Sequence, residues 1–288
     1  MPVPRPFQYH APTSIDEAIR LATEGGDQAK FIAGGQSLLP LMRFRLVSPA
    51  VVVDIGKHLG KELSFVWESV NGVSIGALST HYQISTSEVL KSKCPMLAKA
   101  ALDIGDYQVR NRGTVGGSLC HADPAAHYPP AVLALDGELV LRGKAGERVI
   151  RAVDFFKDLF TTAIGPDEIL TEIRLPTSDW TGWGYEVIHG QGGSFATAIV
   201  AALLRVNRGR CESARIVVGA CTSVPARLVE AEEVLLGKEI TPTLILQASA
   251  AVRSHLKEPL VDLRVRANYR REMAALATRR ALSAAGGL

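Results

Sequence analysis

The chain has 288 residues, of which 47% are hydrophobic and 6% aromatic, and its 32 basic and 29 acidic residues give a net charge of +3. A charge this balanced argues against a nucleic-acid-binding protein, and no apolar run approaches the roughly 18 residues of a membrane span. The length suffices for one large domain or two ordinary ones. The N-terminus lacks the apolar stretch of a signal peptide, so we expect a cytoplasmic protein.

The four cysteines are spread along the chain. They are Cys94, Cys120, Cys211 and Cys221, and no two of them form a C-x-x-C pair. An iron–sulfur cluster or a structural zinc site is therefore not expected, and we expect buried free thiols instead. His121 and His127 are nearby histidines in one candidate site, but a spacing of six matches no common zinc motif, so we expect no metal ligand.

The first 56 residues or so are predicted to form a small α/β unit. Ser14 followed by Glu17 is the pattern of a capping box and predicts a helix beginning there. A short strand at 30–33 leads into a glycine pair, and a helical turn follows at 38–44. The β-branched run at 50–54 predicts a buried strand.

A second α/β unit is predicted from about residue 57 to residue 176. The predicted strands are 73–78, 138–141, 148–150 and 169–175, the middle two forming a hairpin. The predicted helices are 84–90, 96–105 and 153–159. The last strand alternates apolar and polar residues, which indicates an edge or meander strand, and the segment 108–117 leads to a second glycine pair.

The composition changes after Pro176, and 177–184 is a turn-rich linker. Strand-like segments follow, at 184–188, 197–206 and 213–221, and then helices, at 226–236, 243–256 and 268–284. A meander followed by a helical bundle predicts an α+β domain over 177–288. Arginines gather over 264–280, which fits either a solvated helix face or a docking face for another subunit.

Two glycine pairs carry most of the functional information. The first is Gly34-Gly35, followed by Gln36 and Ser37, and the second is Gly116-Gly117, set between Thr114 and Ser118. Glycine has no Cβ, so it adopts positive φ and lets backbone N–H groups approach an anion. Two such loops predict a clamp for the diphosphate of one dinucleotide. Neither is a G-x-G-x-x-G or a P-loop motif.

The two pairs and their flanks resemble the FAD-binding medium subunit of the molybdenum hydroxylases, with carbon monoxide, quinoline and nicotine dehydrogenases as the nearest types. The resemblance runs nearly end to end. Its segments are Ala33–Leu38, Thr114–Ser118, Phe7–Ala18, Leu46–Asp54, Tyr107–Gly113, Asp167–Pro176 and Asp262–Arg271. One glycine pair alone would be weak support, but two in this order with these flanks are specific.

The resemblance implies the fold and the site. It implies a FAD-binding domain of the vanillyl-alcohol-oxidase and p-cresol-methylhydroxylase type over 1–176, with subdomains of about 1–56 and 57–176, and then a C-terminal domain with a small antiparallel sheet and a helical bundle. The implied FAD contacts are Ile32, Ala33, Gly34, Gly35, Gln36, Ser37, Leu38, Thr80, His81, Gly113, Thr114, Gly116, Gly117, Ser118, Ala122, Asp123, His127, Leu170 and Phe195. We expect no catalytic residue in this chain.

Three positions depart from the family pattern. Relatives usually carry Asp or Glu at His127, often Lys at Val187 and Asp at Ser194. A neutral histidine also accepts a ribityl hydroxyl, so with an ordinary pKa of about 6.5 we expect FAD affinity to weaken below that pH. Without the lysine we expect a less positive flavin potential, unless His189 substitutes for it.

The implied function is an electron-transfer flavoprotein subunit. Electrons would arrive from two [2Fe–2S] clusters in a small subunit, after a large molybdopterin subunit oxidises the substrate, and would leave for an external acceptor. A dimer of such heterotrimers, a heterohexamer, is expected from the family. A self-sufficient FAD oxidase or reductase is the alternative, although 112 residues after Pro176 leave little room for a substrate-capping domain. A flavin-free scaffold that kept the fold is the third possibility.

Overall fold

A computed structural model describes residues 3–190, 195–263 and 265–288. The described residues form three main sheets, which follow one another in chain order and each carry helices, and one small two-stranded sheet. Helix and strand are mixed throughout, which confirms the α+β class.

The first sheet is parallel, with strand order β1-β3-β2. The elements of this unit are β1 (Gln8–His10), α1 (Ile15–Gly25), β2 (Ala29–Ile32), α2 (Leu38–Arg43), β3 (Val51–Asp54) and α3 (Gly60–Leu63). Ser14 caps α1 by accepting from the N–H of Glu17, but the Glu17 carboxylate accepts from Thr13 rather than from Ser14. The predicted capping box is therefore only half formed.

The second unit holds a five-stranded antiparallel sheet of order β4-β5-β10-β6-β7. The strands of this unit are β4 (Val66–Ser69), β5 (Gly72–Gly76), β6 (Glu138–Gly143), β7 (Gly146–Arg151), β8 (Phe156–Asp158), β9 (Thr161–Thr162) and β10 (Ile169–Pro176). Strands β8 and β9 pair with each other as a separate two-stranded sheet. The helices of this unit are α4 (His81–Thr86), α5 (Glu88–Lys93), α6 (Pro95–Leu102), α7 (Tyr107–Arg112), α8 (Val115–His121), α9 (Tyr128–Ala134) and α10 (Ala152–Phe155).

Three predictions for this unit need correction. The strand at 169–175 is the middle strand of the sheet, between β5 and β6, rather than an edge or meander strand. The single helix predicted at 84–90 is two helices, because Ser87 leaves helical geometry and caps α5. The helix predicted at 153–159 ends at Phe155 and continues as a short strand.

The third unit is a four-stranded antiparallel sheet of order β11-β12-β13-β14 with helices on one face. Its elements are β11 (Gly182–His189), β12 (Ala196–Asn207), β13 (Arg210–Gly219), β14 (Ala226–Arg227), α11 (Val229–Leu235), α12 (Pro242–His255) and α13 (Ala267–Gly286). The predicted helix at 226–236 therefore begins later, after a short strand.

Strand β12 is buried on both faces over most of its length, which explains the apolar run 198–204. Ala198 and Val200 pack into the core beneath the C-terminal helices. Ile199 and Ala201 point the other way and join the core of the second unit. This shared core fixes the C-terminal sheet against α9 and α6, and so sets the position of the β11–β12 hairpin relative to the glycine pairs.

Candidate functional site

The two glycine pairs meet in space. A Cβ built on Gly34 would overlap the carbonyl oxygen of Arg112 at the end of α7. A Cβ built on Gly117 would lie 3.9 Å from the Cβ of Ala33. The absence of a side chain at Gly34 is therefore what allows the two segments to approach, and they border one candidate cleft, with 33–38 as its first wall and 113–118 as its second.

The first wall offers a row of free donors. Beyond Ile32, the last residue of β2, the chain turns through Gly35 at φ +74°, a conformation that favours glycine. Among the described residues, none of the N–H groups of 33–38 has an acceptor within the protein. Leu39 is the first residue after this stretch whose N–H is hydrogen-bonded within the protein, and it donates to the carbonyl of Gly35 at 3.1 Å. This is the arrangement expected of an anion cradle.

The second wall is built differently. Gly116 and Gly117 lie in the first turn of α8 rather than in a loop, with Thr114 as the capping residue. The N–H of Gly117 donates to the Thr114 hydroxyl at 3.1 Å, and that of Gly116 donates to the carbonyl of Ala77 at 2.8 Å. The N–H of Ser118 donates to the backbone carbonyl of Thr114 at 3.0 Å.

The prediction that both pairs present N–H donors is therefore wrong for the second pair. Its glycines serve close packing, because a Cβ on Gly116 would lie 2.6 Å from the Cβ of Ala77. What this wall can offer a ligand is hydroxyl groups. The Ser118 hydroxyl has no hydrogen-bond partner among the described residues, and the Thr114 hydroxyl, which accepts from Gly117, keeps its proton to donate.

Thr80 and His81 support the second wall. Thr80 forms a reciprocal capping box with Gln83 at the start of α4 and pairs with Thr114 as an isolated β-bridge. The N–H of His81 donates to the carbonyl of Gly113 at 2.9 Å. The His81 ring is buried, with Nδ1 3.0 Å from the hydroxyl of Tyr128, and a Cβ on Gly113 would lie 2.5 Å from its Nε2.

The chain turns sharply after α8. Ala122 ends the helix in the left-handed conformation, with φ 49°. Asp123 then folds back on itself, its Oδ1 accepting from the N–H of Ala125 at 2.8 Å. Leu170 is buried in β10, where the ladder to β6 is interrupted by a bulge between Leu170 and Glu172.

His127 is buried against the C-terminal sheet. The hydroxyl of Tyr185 donates to the carbonyl of His127 at 3.0 Å and lies 3.3 Å from its Nδ1. The ring of His189 is 6.3 Å away, centroid to centroid. Burial lowers the pKa of His127 to about 4, with smaller effects of Asp103, which raises the pKa, and of the positive charges of His189 and Lys99, which lower it. The expectation of an ordinary pKa near 6.5 is therefore wrong.

The same desolvation acts on the neighbouring histidine. Burial, with smaller contributions from the positive charges of His127 and Arg110, lowers the pKa of His81 to about 4. Sequence reasoning missed Tyr128 and Tyr185, whose hydroxyls are the ring partners of these two histidines. Tyr128 directly follows a candidate residue in the chain, but no pattern in the sequence indicated its orientation.

The remaining predicted residues lie at or near the β11–β12 hairpin. Val187 is in β11, opposite Ile199 of β12. Phe195 directly precedes β12 and is 75% exposed. Ser194 lies outside the described residues.

The described residues hold no group of three or more His, Cys, Asp or Glu side chains that could bind a metal. All four cysteines are free thiols. Over the part of the chain that the structure describes, no helix has the length and apolar character needed to cross a membrane.

Comparison with known proteins identifies the family. Residues 5–178 match the model of the FAD binding domain in molybdopterin dehydrogenase. The chain belongs to this family. Residues 183–285 match the CO dehydrogenase flavoprotein C-terminal domain. Membership shows that the cofactor is FAD, and that the chain is a flavoprotein oxidoreductase subunit of the molybdenum hydroxylase type.

Relatives of the chain match it over almost their whole length. It is 36% identical to the glyceraldehyde dehydrogenase medium chain of Sulfolobus acidocaldarius over 96% of this chain and 98% of that one. It is 37% identical to the nicotine 6-hydroxylase medium subunit of Paenarthrobacter nicotinovorans over 97% of each chain. Its fold matches a chain of the carbon monoxide dehydrogenase structure from Hydrogenophaga pseudoflava with a TM-score of 0.94, at 37% identity over 99% of each chain.

Proposed function

We propose that this chain is the electron-transfer subunit of a multi-subunit molybdenum hydroxylase, receiving electrons from [2Fe–2S] clusters of one partner and passing them to an external acceptor. The observation that carries the proposal is the approach of the two glycine pairs, which brings the uncommitted N–H groups of 33–38 next to the helix start that carries the hydroxyls of Thr114 and Ser118. Bound FAD supplies the redox chemistry, and the protein supplies binding and orientation.

The diphosphate of FAD would lie against the first wall. The N–H groups of Ala33, Gly34, Gly35, Gln36, Ser37 and Leu38 are six consecutive donors with no acceptor of their own among the described residues. Backbone N–H groups arranged in this way favour a negative charge without the cost of immobilising a long cationic side chain. The half-buried position of 33–35 reduces competition from water.

The hydroxyls of the second wall would complete the cofactor site. Thr114 and Ser118 would donate to the diphosphate or the ribityl chain, while Gly113, Gly116 and Gly117 keep α8 close to the first wall. Thr80 and His81 would act chiefly by holding Gly113 and Thr114 in place, because the His81 ring is already engaged by Tyr128. This assignment separates residues that contact FAD from residues that position the contacts.

The far end of the cleft would hold the ribityl chain and the flavin ring. We assign Ala122, Asp123 and His127 to the polar side, with Leu170 packing against the ring by its backbone. His127 would accept a ribityl hydroxyl as a neutral imidazole, since burial lowers its pKa to about 4. Phe195, on the β11–β12 hairpin, would cover the ring.

The partners in this proposal are separate chains. The free cysteines of this chain are not spaced as iron–sulfur ligands, so the clusters would belong to a small subunit and the molybdenum cofactor to a large one, in a cytoplasmic dimer of heterotrimers. The relatives named above are themselves called medium chains or subunits of dehydrogenases and hydroxylases. We further propose that Pro176 divides a FAD-binding domain of the vanillyl-alcohol-oxidase type from the C-terminal domain.

A visible absorption spectrum of the purified chain, before and after incubation with FAD, tests the cofactor site. We expect flavin bands with quenched fluorescence for the wild type and for Gly60→Ala, since nothing lies within 4 Å of the Gly60 Cβ position. Gly34→Ala should lose them, because its Cβ would overlap the backbone of Arg112. Equal FAD binding by the two variants would contradict the assigned cleft.

Reduction experiments test the electron-transfer role. In the complex with its partners, the flavin should be bleached by the oxidisable substrate of the complex, and the isolated FAD-loaded chain should not respond to that substrate. Bleaching of the isolated chain by the substrate would favour the alternative, a self-sufficient FAD oxidase or reductase.

A further inference from the structure

A cavity away from the glycine pairs is lined by three arginines. It has a volume of about 150 Å³ and lies between the end of β7 with α10 on one side and β13 with β14 on the other. Its charged lining residues are Asp136, Arg151, Arg215 and Arg227. We call it the arginine cavity. The arginine cavity lies between the FAD-binding part of the chain and the C-terminal sheet.

The charges in the arginine cavity do not cancel. Arg227 is held by Glu232 in a bidentate ion pair, its Nη2 2.7 Å from Oε2, and Arg215 is paired with Asp136. Arg151 is exposed and has no ion-pair partner among the described residues; Glu138, opposite it in the β6–β7 ladder, is not in ion-pair contact. Three cations against two carboxylates leave one positive charge to be balanced.

Arg215 has a donor that no protein group satisfies. Its Nη1 donates to the carbonyl of Ala134 at 2.9 Å, and its guanidinium lies 5.5 Å from the ring centroid of Trp180. Its Nε is buried and has no hydrogen-bond partner among the described residues. A buried donor without an acceptor is unfavourable, and a negative charge beside this guanidinium would offset part of that penalty.

The rest of the lining is apolar. Phe156, Val224 and Pro225 belong to it, and Phe156 is 8% exposed. The volume is well below the roughly 300 Å³ at which pockets for drug-sized ligands begin. The arginine cavity thus combines a guanidinium cluster, which matches the oxygens of a carboxylate or phosphate, with an apolar wall of limited size.

We propose that the arginine cavity binds a small organic anion, with a carboxylate or phosphate group toward Arg151 and Arg215 and an apolar body against Phe156 and Val224. Nothing in the electron-transfer role requires this site. Because its walls come from both the FAD-binding part and the C-terminal sheet, a bound anion stabilises their contact and raises the melting temperature.

Isothermal titration calorimetry on the chain saturated with FAD tests the proposal, since bound FAD occupies the other anion cradle. The probes are benzoate, phenyl phosphate and, as the neutral counterpart, benzyl alcohol. We expect saturable binding of at least one anion with a dissociation constant in the range of about 0.1–5 mM and no binding of benzyl alcohol. Benzoate and phenyl phosphate distinguish a carboxylate site from a phosphate site.

Variants locate the binding. Arg151→Gln removes an exposed, unpaired charge without disturbing the core and should weaken anion binding about tenfold. Arg279→Gln removes another exposed charge, on α13, and should leave the affinity unchanged. The proposal is overturned if neither anion binds at about 20 mM, if Arg151→Gln binds as well as the wild type, or if the anion displaces flavin from the chain. A failed cofactor site would appear separately, as missing flavin bands before any anion is added.

Discussion

Lowering the pH from 8 to 5 should destabilise this protein through two buried histidines. His81 and His127 are 5% and 8% exposed, and burial lowers the pKa of each from 6.5 to about 4. Both rings lie next to tyrosine hydroxyls rather than carboxylates. The folded protein therefore resists protonation that the unfolded chain accepts.

The sign and the window follow from linkage. Between about pH 4 and 6.5 the unfolded chain binds more protons than the folded one, so the free energy of unfolding falls as the pH falls. At pH 5 each histidine is 1.5 pH units below its unfolded pKa, which corresponds to about 2 kcal/mol per histidine at 1.36 kcal/mol per unit. The two together would lower the stability by up to about 4 kcal/mol, a large share of the 5–15 kcal/mol typical of a domain.

Carboxylates contribute little in this window. Glu168 is the partly buried example, and its ion pair with Arg148 lowers its pKa from 4.5. Its stabilisation is present above pH 4.5 and is lost only as the pH falls below that value. The interval between pH 6.5 and 5 therefore isolates histidine titration from acid titration of the surface ion pairs. His121, whose pKa is also lowered by partial burial, acts in the same direction as His81 and His127.

Urea unfolding at constant ionic strength and FAD concentration measures the effect. The wild type should lose about 4 kcal/mol between pH 8 and pH 5, and His127→Asn about 2 kcal/mol less than the wild type, because one of the two deeply buried histidines is removed. His58→Asn, at an exposed position, should behave as the wild type. A wild-type stability that is flat over this range, or an unchanged slope in His127→Asn, would refute the reasoning.

FAD affinity gives an independent check on the same pKa. Since His127 stays neutral down to about pH 4 in the folded state, its capacity to accept a hydrogen bond persists, and the dissociation constant of FAD should be flat from pH 8 to about 5. Fluorescence quenching at several pH values measures it. An affinity that falls with a midpoint near 6.5 would mean that His127 is hydrated rather than buried.

Three further substitutions test separate parts of the structure. Gly34→Ala should weaken FAD binding at least about tenfold and lower the unfolding free energy by about 1–3 kcal/mol, as measured by flavin titration and urea unfolding, with Gly60→Ala as the control. Arg270→Ala should lower the unfolding free energy by about 3 kcal/mol or more, since the buried guanidinium donates to three backbone carbonyls and one carboxylate. Arg280→Ala, at an exposed position of the same helix, should leave the unfolding free energy unchanged. Val187→Lys should raise the two-electron flavin potential by tens of millivolts, because a cation stabilises the reduced, anionic flavin. Spectroelectrochemical titration measures this potential, and a value that fell or stayed constant would contradict the prediction.

The sequence predicted best those elements whose signal is local. The run 197–206 is apolar at every position but Thr197 and Arg205, and it forms β12, buried on both faces. The long C-terminal helices also lie close to their predicted bounds. The strand lacks an apolar–polar periodicity because both of its faces are buried, and the helices have one because one face of each is buried. Such a pattern can be recognised without knowing which element packs against it.

Position within a sheet was not predictable in the same way. The alternation at 169–175 correctly indicated a strand with two unlike faces, yet β10 lies between β5 and β6. Alternation of apolar and polar residues indicates which face of a strand is buried, but it does not indicate which strands pair with its edges. Glu172 and Arg174, which produce the polar half of the pattern, form an ion pair on one face and say nothing about the ladder.

The two glycine pairs show the same limit at the site itself. Both read as loops that could present N–H groups to an anion, but only the first does so. Gly35 has the positive φ of a turn, and its neighbours leave their donors free. Gly116 instead lies in a helix against Ala77, and its N–H is taken by the carbonyl of that residue. The contact that decides the difference comes from Ala77, which follows β5 about 40 positions earlier in the chain, so the sequence did not indicate how each wall would bind a diphosphate. One wall contributes backbone donors and the other contributes hydroxyls, and a clamp assembled from both can hold a charged cofactor without any buried lysine or arginine.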